Sequence, residues 1–230
     1  MTCGLRNEWL ILSEISRRAR LLVEATETAI SLMPPSSDFS FGLDLLPAIQ
    51  AMLIYQFMRL FSAGDIVQQT QAEADGKVLA RWVNILQEQT QWSSNSSADG
   101  GRLDLSVWKD WVYVESTKRT LVFAEMLDGV YNYLRFGWYE PSVRMAKLSF
   151  TGKAAIWEAK TSAEWEQARV QQLWLEFDMS CFRDDIKAAF PDDVDELGII
   201  ILASYDGLDA LKKWAGDDER LLEKWGLSSI

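Results

Sequence analysis

Apolar residues recur at three- and four-residue steps along nearly the whole chain, and that period commits it to helices. From Glu8 to about Met33 they fall at Trp9, Leu12, Ile15, Ala19, Leu22, Val23, Ile30 and Met33. Pro34-Pro35 ends this helix, and "PPSSDFSFG" follows as a loop. A second helix is predicted from about Leu45 to Phe61, with Pro47 near its first turn, where a missing N–H costs little. A third, from about Val67 to Gln91, carries Val78, Leu79, Trp82, Val83 and Leu86 on one side. "SSNSSADGG", residues 93–101, is small and polar and is predicted as a flexible loop.

The second half continues the pattern. A long helix is predicted from about Ser106 to Leu134, closed by Gly137. Thr161 and Glu164 have the spacing of a capping box, which predicts a helix start at about Ala163. "SCFRDDIKAAF" gives a short helix stopped before Pro191. "DDVDELGIIILASYDGLDALKKWAG" gives a long one, acidic at its start and basic near its end, as the helix dipole favours. A last short helix holds Leu221, Leu222 and Trp225. Within the long one, "GIIILAS" is the nearest thing to a strand, but Leu208, Leu211 and Trp214 continue it at helical spacing. Strand signals are otherwise nearly absent and no fixed-period repeat occurs. The expectation is all-α: a single domain, residues 1–230, of about seven to nine packed helices.

Composition narrows the chemistry. The chain has 23 basic and 34 acidic residues, a net charge of −11, and its one basic cluster is Arg17-Arg18-Ala19-Arg20. Non-specific nucleic-acid binding needs clustered Lys and Arg against phosphates, so no direct contact with nucleic acid is expected. Histidine is absent and the only cysteines, Cys3 and Cys181, form no CxxC pair. Nitrogen–sulfur zinc sites and histidine-dependent triads are thereby excluded. No glycine-rich phosphate loop opens a helix, so neither a metal nor another cofactor is expected. The N-terminus lacks the basic-then-apolar pattern of a signal peptide, and no apolar run reaches about 18 residues, so no membrane association is expected. These features fit an intracellular protein of nucleus or cytoplasm.

Two constellations remain as candidate sites. In "WKDWVYVESTKRTLVFAEML", residues 108–127, Trp108, Trp111, Glu115 and Arg119 run along one side of a helix. Glu115 and Arg119, four apart, serve either as a general acid or base beside aromatic walls or as a buried ion pair that fixes how helices dock. A guanidinium so close neutralises the acid, which favours the ion pair. "GVYNYLRFGWYEP", residues 129–141, concentrates Tyr131, Tyr133, Phe136, Trp138 and Tyr139. Trp108, Trp111, Tyr131, Tyr133, Trp138 and Tyr139 are the expected lining of a site for a small apolar metabolite, since aromatic walls with hydroxyl and indole donors suit one. The same cluster would also serve as a plug holding the next loop. The acidic runs "PDDVDE" and "GDDER" stand at helix starts and are expected to be caps, not metal sites.

The ordered set "LLPAIQAMLIYQFMRLF", Trp108-x2-Trp111-x3-Glu115-x2-Lys118-Arg119, "KAAIWEAKTSAEWEQA" with Trp157 and Trp165, and "VDELGIIILASYDGLDALKKW" resembles the C-terminal regulatory region of fungal zinc binuclear-cluster transcription factors. The likeness runs over roughly residues 20–225. It implies an all-helical regulatory region of the kind found beside secondary-metabolite genes, which in some relatives senses a small apolar effector. The family's cysteine-rich zinc cluster is not among these residues. Numbering from Met1 leaves two expectations, a trimmed regulatory body or a gene that kept only that body. The function expected is an effector-binding regulatory domain that does not itself bind DNA. The alternatives are a cofactor-independent cyclase, isomerase or pericyclase of a natural-product pathway, and a helical scaffold for a protein partner.

Overall fold

The computed structural model describes residues 2–32, 39–62, 66–95, 107–140, 142–171, 175–216 and 218–227. The chain is all-α, with nine α-helices and one two-stranded sheet among the described residues. Its contacts divide into two compact units. The first comprises Met1–Leu103 with Tyr131–Gly137, the second Asp104–Val130 with Trp138–Ile230.

In the first unit, α1 (Thr2–Ser31), α2 (Phe39–Leu60) and α3 (Ile66–Asn95) pack side by side. Leu12, Ile15 and Ala19 of α1, Ile49, Met52 and Leu53 of α2, and Leu79, Trp82, Val83 and Leu86 of α3 are buried at the spacing of one helix face. Trp9, placed by its period on the inner stripe of α1, is instead 58% exposed. Helix α2 begins at Phe39, not at Leu45, so Pro47 stands inside it and not in its first turn. There the ring removes one intrahelical hydrogen bond, a cost that packing on both neighbours offsets. Helix α3 likewise runs on through Ser93, Ser94 and Asn95. These three were expected to be loop, but a helix already propagating adds residues cheaply, even poor helix formers. The rest of the 93–101 stretch lies outside the described residues.

One polar cluster sits inside this unit. The Arg59 guanidinium, fully buried, donates to Asp75 Oδ2 at 2.7 Å and to Gln56 Oε1 at 3.0 Å. Gln56 Nε2 in turn donates to the Ala72 carbonyl at 2.7 Å. Every link joins α2 to α3 or closes within α2. Trp82 Nε1 donates to Glu27 Oε1 at 2.6 Å, tying α3 to α1.

The second unit takes most of α4 (Trp108–Phe136), then β1 (Ser149–Thr151), α5 (Ala154–Trp157), α6 (Ser162–Gln171), β2 (Glu176–Asp178), α7 (Phe182–Ala188), α8 (Glu196–Trp214) and α9 (Glu219–Lys224). Helix α4 ends where Gly137 adopts φ +77° and its N–H meets the Tyr133 carbonyl at 2.8 Å, a left-handed stop suited to glycine. At α6, Glu164 N–H donates to Thr161 Oγ1 at 3.2 Å, and Glu164 Oε2 accepts from Lys160 N at 2.7 Å. The box therefore closes on the residue before the cap. Asp195 caps α8 by accepting from Gly198 N, and Asp218 caps α9 by accepting from Arg220 N.

The strands β1 and β2 pair antiparallel with Phe150 opposite Phe177. Three residues each are too few to show an alternating pattern in the sequence. The pairing survives because Phe150, Phe177 and Phe182 pack together, with ring centroids 5.3 to 6.5 Å apart, all buried. A Cβ at Gly152 would lie 2.3 Å from Phe177 Cε2, so only glycine lets the strand pass under that ring. Helix α8 is broken within by Gly207, at φ +84°.

Candidate functional site

The second unit is organised around Arg119. Its position on α4, four residues after Glu115, aims both side chains at the same neighbour, β1. Glu115 Oε1 accepts from Arg119 Nε at 2.9 Å and from Thr151 N at 2.7 Å. Glu115 Oε2 accepts from Thr151 Oγ1 at 3.2 Å. Arg119 Nη2 donates to the Thr151 carbonyl and forms an ion pair with Asp195 at the start of α8. The guanidinium also lies 3.9 Å from the Trp157 ring centroid and 5.5 Å from that of Phe150. Glu115 and Asp195 are each 2% exposed and Arg119 8%.

One buried cation thus faces two buried carboxylates. Burial pushes the Asp195 carboxyl above the usual aspartate range, and Arg119 and the Gly198 N–H pull it only partly back. Beside it, Lys153 Nζ pairs with Asp193 Oδ2 at 2.5 Å. Glu115 meets three donors and has almost no exposed surface, so it offers no face to a reacting substrate. The geometry is that of a clasp joining α4, β1 and the N-terminus of α8.

The six aromatic candidates divide between the units. Trp108 and Trp111 are brought together in the second, in a cluster with Ile156, Trp165 and Ala168. The Trp111 ring lies 5.6 Å from Trp165 and 6.4 Å from Trp157. Tyr139, also in the second unit, is half-buried over Gly129, where an added Cβ would meet its ring at 2.8 Å. Burial there raises its hydroxyl above the ordinary tyrosine value, and the Glu125 and Asp128 carboxylates add to the shift. Tyr131 and Tyr133 belong to the first unit. Tyr131 donates to Glu73 Oε1 at 2.5 Å, accepts from Arg135 Nη1 at 3.1 Å and sets its ring edge-on to Phe61. Tyr133 and Trp138 are 60% and 68% exposed.

Sequence reasoning named neither Asp195 nor Thr151 as a partner of Arg119, nor Arg59 and Asp75 at all. No local spacing links residues on different elements, so only composition hinted at them, through acids and an arginine inside apolar stretches. The indole N–H groups of Trp108 and Trp165 have no hydrogen-bond partner among the described residues. No group of three or more acidic or thiol side chains among the described residues is placed to hold a metal ion, and none of the described helices is long and apolar enough to cross a membrane.

Over 227 residues, 96% of its length, the chain is 30% identical to transcription factor gsfR2 of Penicillium aethiopicum. The match covers 51% of that protein, so the chain spans about half the length of this curated relative. No family model and no solved structure matches. The chain is thus similar, through almost its whole length, to about half of a fungal transcription factor.

Proposed function

We propose that this chain is a regulatory region of the fungal transcription-factor type, which makes no contact with DNA itself and responds to a small apolar metabolite. The observation that carries the proposal is the likeness to gsfR2, which runs through almost the whole chain while taking up only half of that protein. Charge supports the absence of DNA contact. Of the one basic cluster, Arg17 and Arg18 are both held by Glu14, at 2.7 and 2.8 Å, and the chain as a whole carries −11. Glu115, the acid around which a catalytic centre would be built, is enclosed by donors, so regulation is preferred to enzymatic turnover.

The test is to tether the chain to a heterologous DNA-binding module upstream of a reporter, with and without an organic extract of fungal culture. Reporter output should differ from that of the module alone and should change with the extract. Output identical to the module alone in both conditions would overturn the proposal. Separately, the purified chain should leave duplex DNA unshifted at about 0.15 M salt, with or without zinc. A salt-sensitive, sequence-selective shift would overturn the second half of the proposal.

A further inference from the structure

Among the described residues of the first unit, a groove between α1 and α2 is left unfilled. Leu22, Ala25, Thr26 and Ala29 line it from α1, and Leu45, Pro47 and Ala48 from α2, around a volume of about 370 Å³. Residues 22, 25, 26 and 29 share one helix face, so this is a continuous wall. Large rings such as Trp82, Trp111 and Trp165 are buried in the cores of the two units. Here three alanines leave the space open. Its volume falls in the range of about 300–1,000 Å³ usual for small-molecule sites.

A second observation points to what would fill it. Thr26, the one polar side chain of the lining, is 9% exposed. A helical threonine usually returns its hydroxyl to the carbonyl four residues back, as Thr28 does to Glu24, Thr70 to Ile66 and Thr117 to Tyr113. Thr26 makes no such bond, and its hydroxyl has no hydrogen-bond partner among the described residues. The hydroxyl is not one of the fully enclosed unpaired atoms, so it is left to water or to an oxygen that enters the groove.

We infer that this groove binds a neutral aliphatic molecule, an alkyl or isoprenoid chain with one alcohol, ketone or ester oxygen, and that the oxygen meets the Thr26 hydroxyl. The lining offers aliphatic walls and no aromatic face for stacking. No cation lines it and the chain is strongly acidic, so a carboxylate is disfavoured. The six aromatic candidates are not part of it. This assignment rests on the reading of the chain as a metabolite-responsive region and names the place of that response.

The experiment is methyl NMR on the full chain, labelled at Ala and Leu, titrated with decan-1-ol and separately with decanoate. Decan-1-ol should give saturable shifts centred on Ala25, Ala29, Ala48, Leu22 and Leu45, and decanoate should bind at least about tenfold more weakly. Ala29 is exposed, so Ala29→Phe should fold, as a thermal melt would verify, and should abolish the shifts by filling the groove. Thr26→Val keeps the shape and should weaken binding roughly three- to tenfold. Shifts centred elsewhere, no shifts at the solubility limit, or shifts undiminished in Ala29→Phe would overturn the assignment. Equal binding of decanoate would overturn its requirement for a neutral ligand. The tethered reporter separates the two levels. A reporter that answers to extract while these methyls stay silent refutes the groove alone, whereas methyl shifts beside an inert reporter refute the regulatory function alone.

Discussion

Arg59 donates to Asp75 at 2.7 Å from a position with no solvent access, so the first unit is built, like the second, around one buried arginine. Removing one partner of such a pair strands the other charge, which costs about 3–5 kcal/mol, whereas replacing both by apolar groups is often nearly neutral. Asp75→Ala should lose stability of that order in urea unfolding. The double variant Arg59→Met/Asp75→Leu should recover most of it. A double variant no better than the single would show that Gln56 and the Tyr55 and Ala72 carbonyls, not the charges, hold the cluster.

Glu115→Ala should likewise lose about 3–5 kcal/mol, because it leaves Arg119 short of one counter-charge and Thr151 N without its acceptor. Glu115→Gln retains an acceptor oxygen and should lose less. Hydrogen exchange at the Thr151 amide should speed up most in the alanine variant. A Glu115→Ala protein as stable as its parent but silent in the tethered reporter would make this residue functional and not structural.

Asp195 sets a pH dependence of unusual sign for a carboxylate. Its value is raised in the folded chain, chiefly by burial, so the folded state holds that proton more tightly than the unfolded state. Its contribution to stability is full below the ordinary 3.8 and is lost as pH rises through the raised value. Asp195→Asn keeps an oxygen for the Gly198 N–H and removes the titration. The unfolding free energy of the parent minus that of Asp195→Asn should therefore decrease from about pH 3.5 toward neutrality. An increase over that range would mean that Arg119 outweighs burial.

How far these features were legible depends on whether their cause is local. Helices α1, α3, α4 and α8 follow from apolar period, and the stop at Gly137 and the cap that starts α8 from residue chemistry, all visible within a few residues. Helix α2 was placed six residues too late because Pro47 looked like a first-turn residue. The strands went unseen because Phe150 and Phe177 stabilise each other across the sheet, not along the chain. The i,i+4 spacing says that Glu115 and Arg119 can meet. It does not say that Asp195 arrives from α8 to make a third member. For the aromatics, abundance was plain but address was not. Trp111 and Trp165 are core, Trp9 and Trp138 face water, and nothing local to those indoles distinguishes them.

Among the described residues, the two wholly buried tryptophans should respond unequally to loss of the indole nitrogen. Trp82 donates to Glu27 at 2.6 Å, so Trp82→Phe removes both ring volume and a hydrogen bond to a charged acceptor. Trp165 has an N–H with no partner among the described residues, so Trp165→Phe relieves an unpaired donor while losing volume. An unpaired buried donor costs about 1–3 kcal/mol, enough to offset much of the lost packing. Trp165→Phe should therefore be the milder substitution by at least about 1 kcal/mol in urea unfolding. The reverse order would show that the Trp165 indole nitrogen has an acceptor.

The membership of Tyr131–Gly137 in the first unit has a consequence for inheritance. Glu73 of α3 receives its hydrogen bond from Tyr131, a residue encoded well after Leu103, where the rest of that unit stops. A recombination event that exchanged only codons 1–103 between two relatives would pair an incoming Glu73 and Phe61 with the resident Tyr131 and Arg135. Those four positions meet only after chain from both sides of Leu103 has come together. Each unit is interrupted in sequence by part of the other, so exchange at a single junction transfers neither intact.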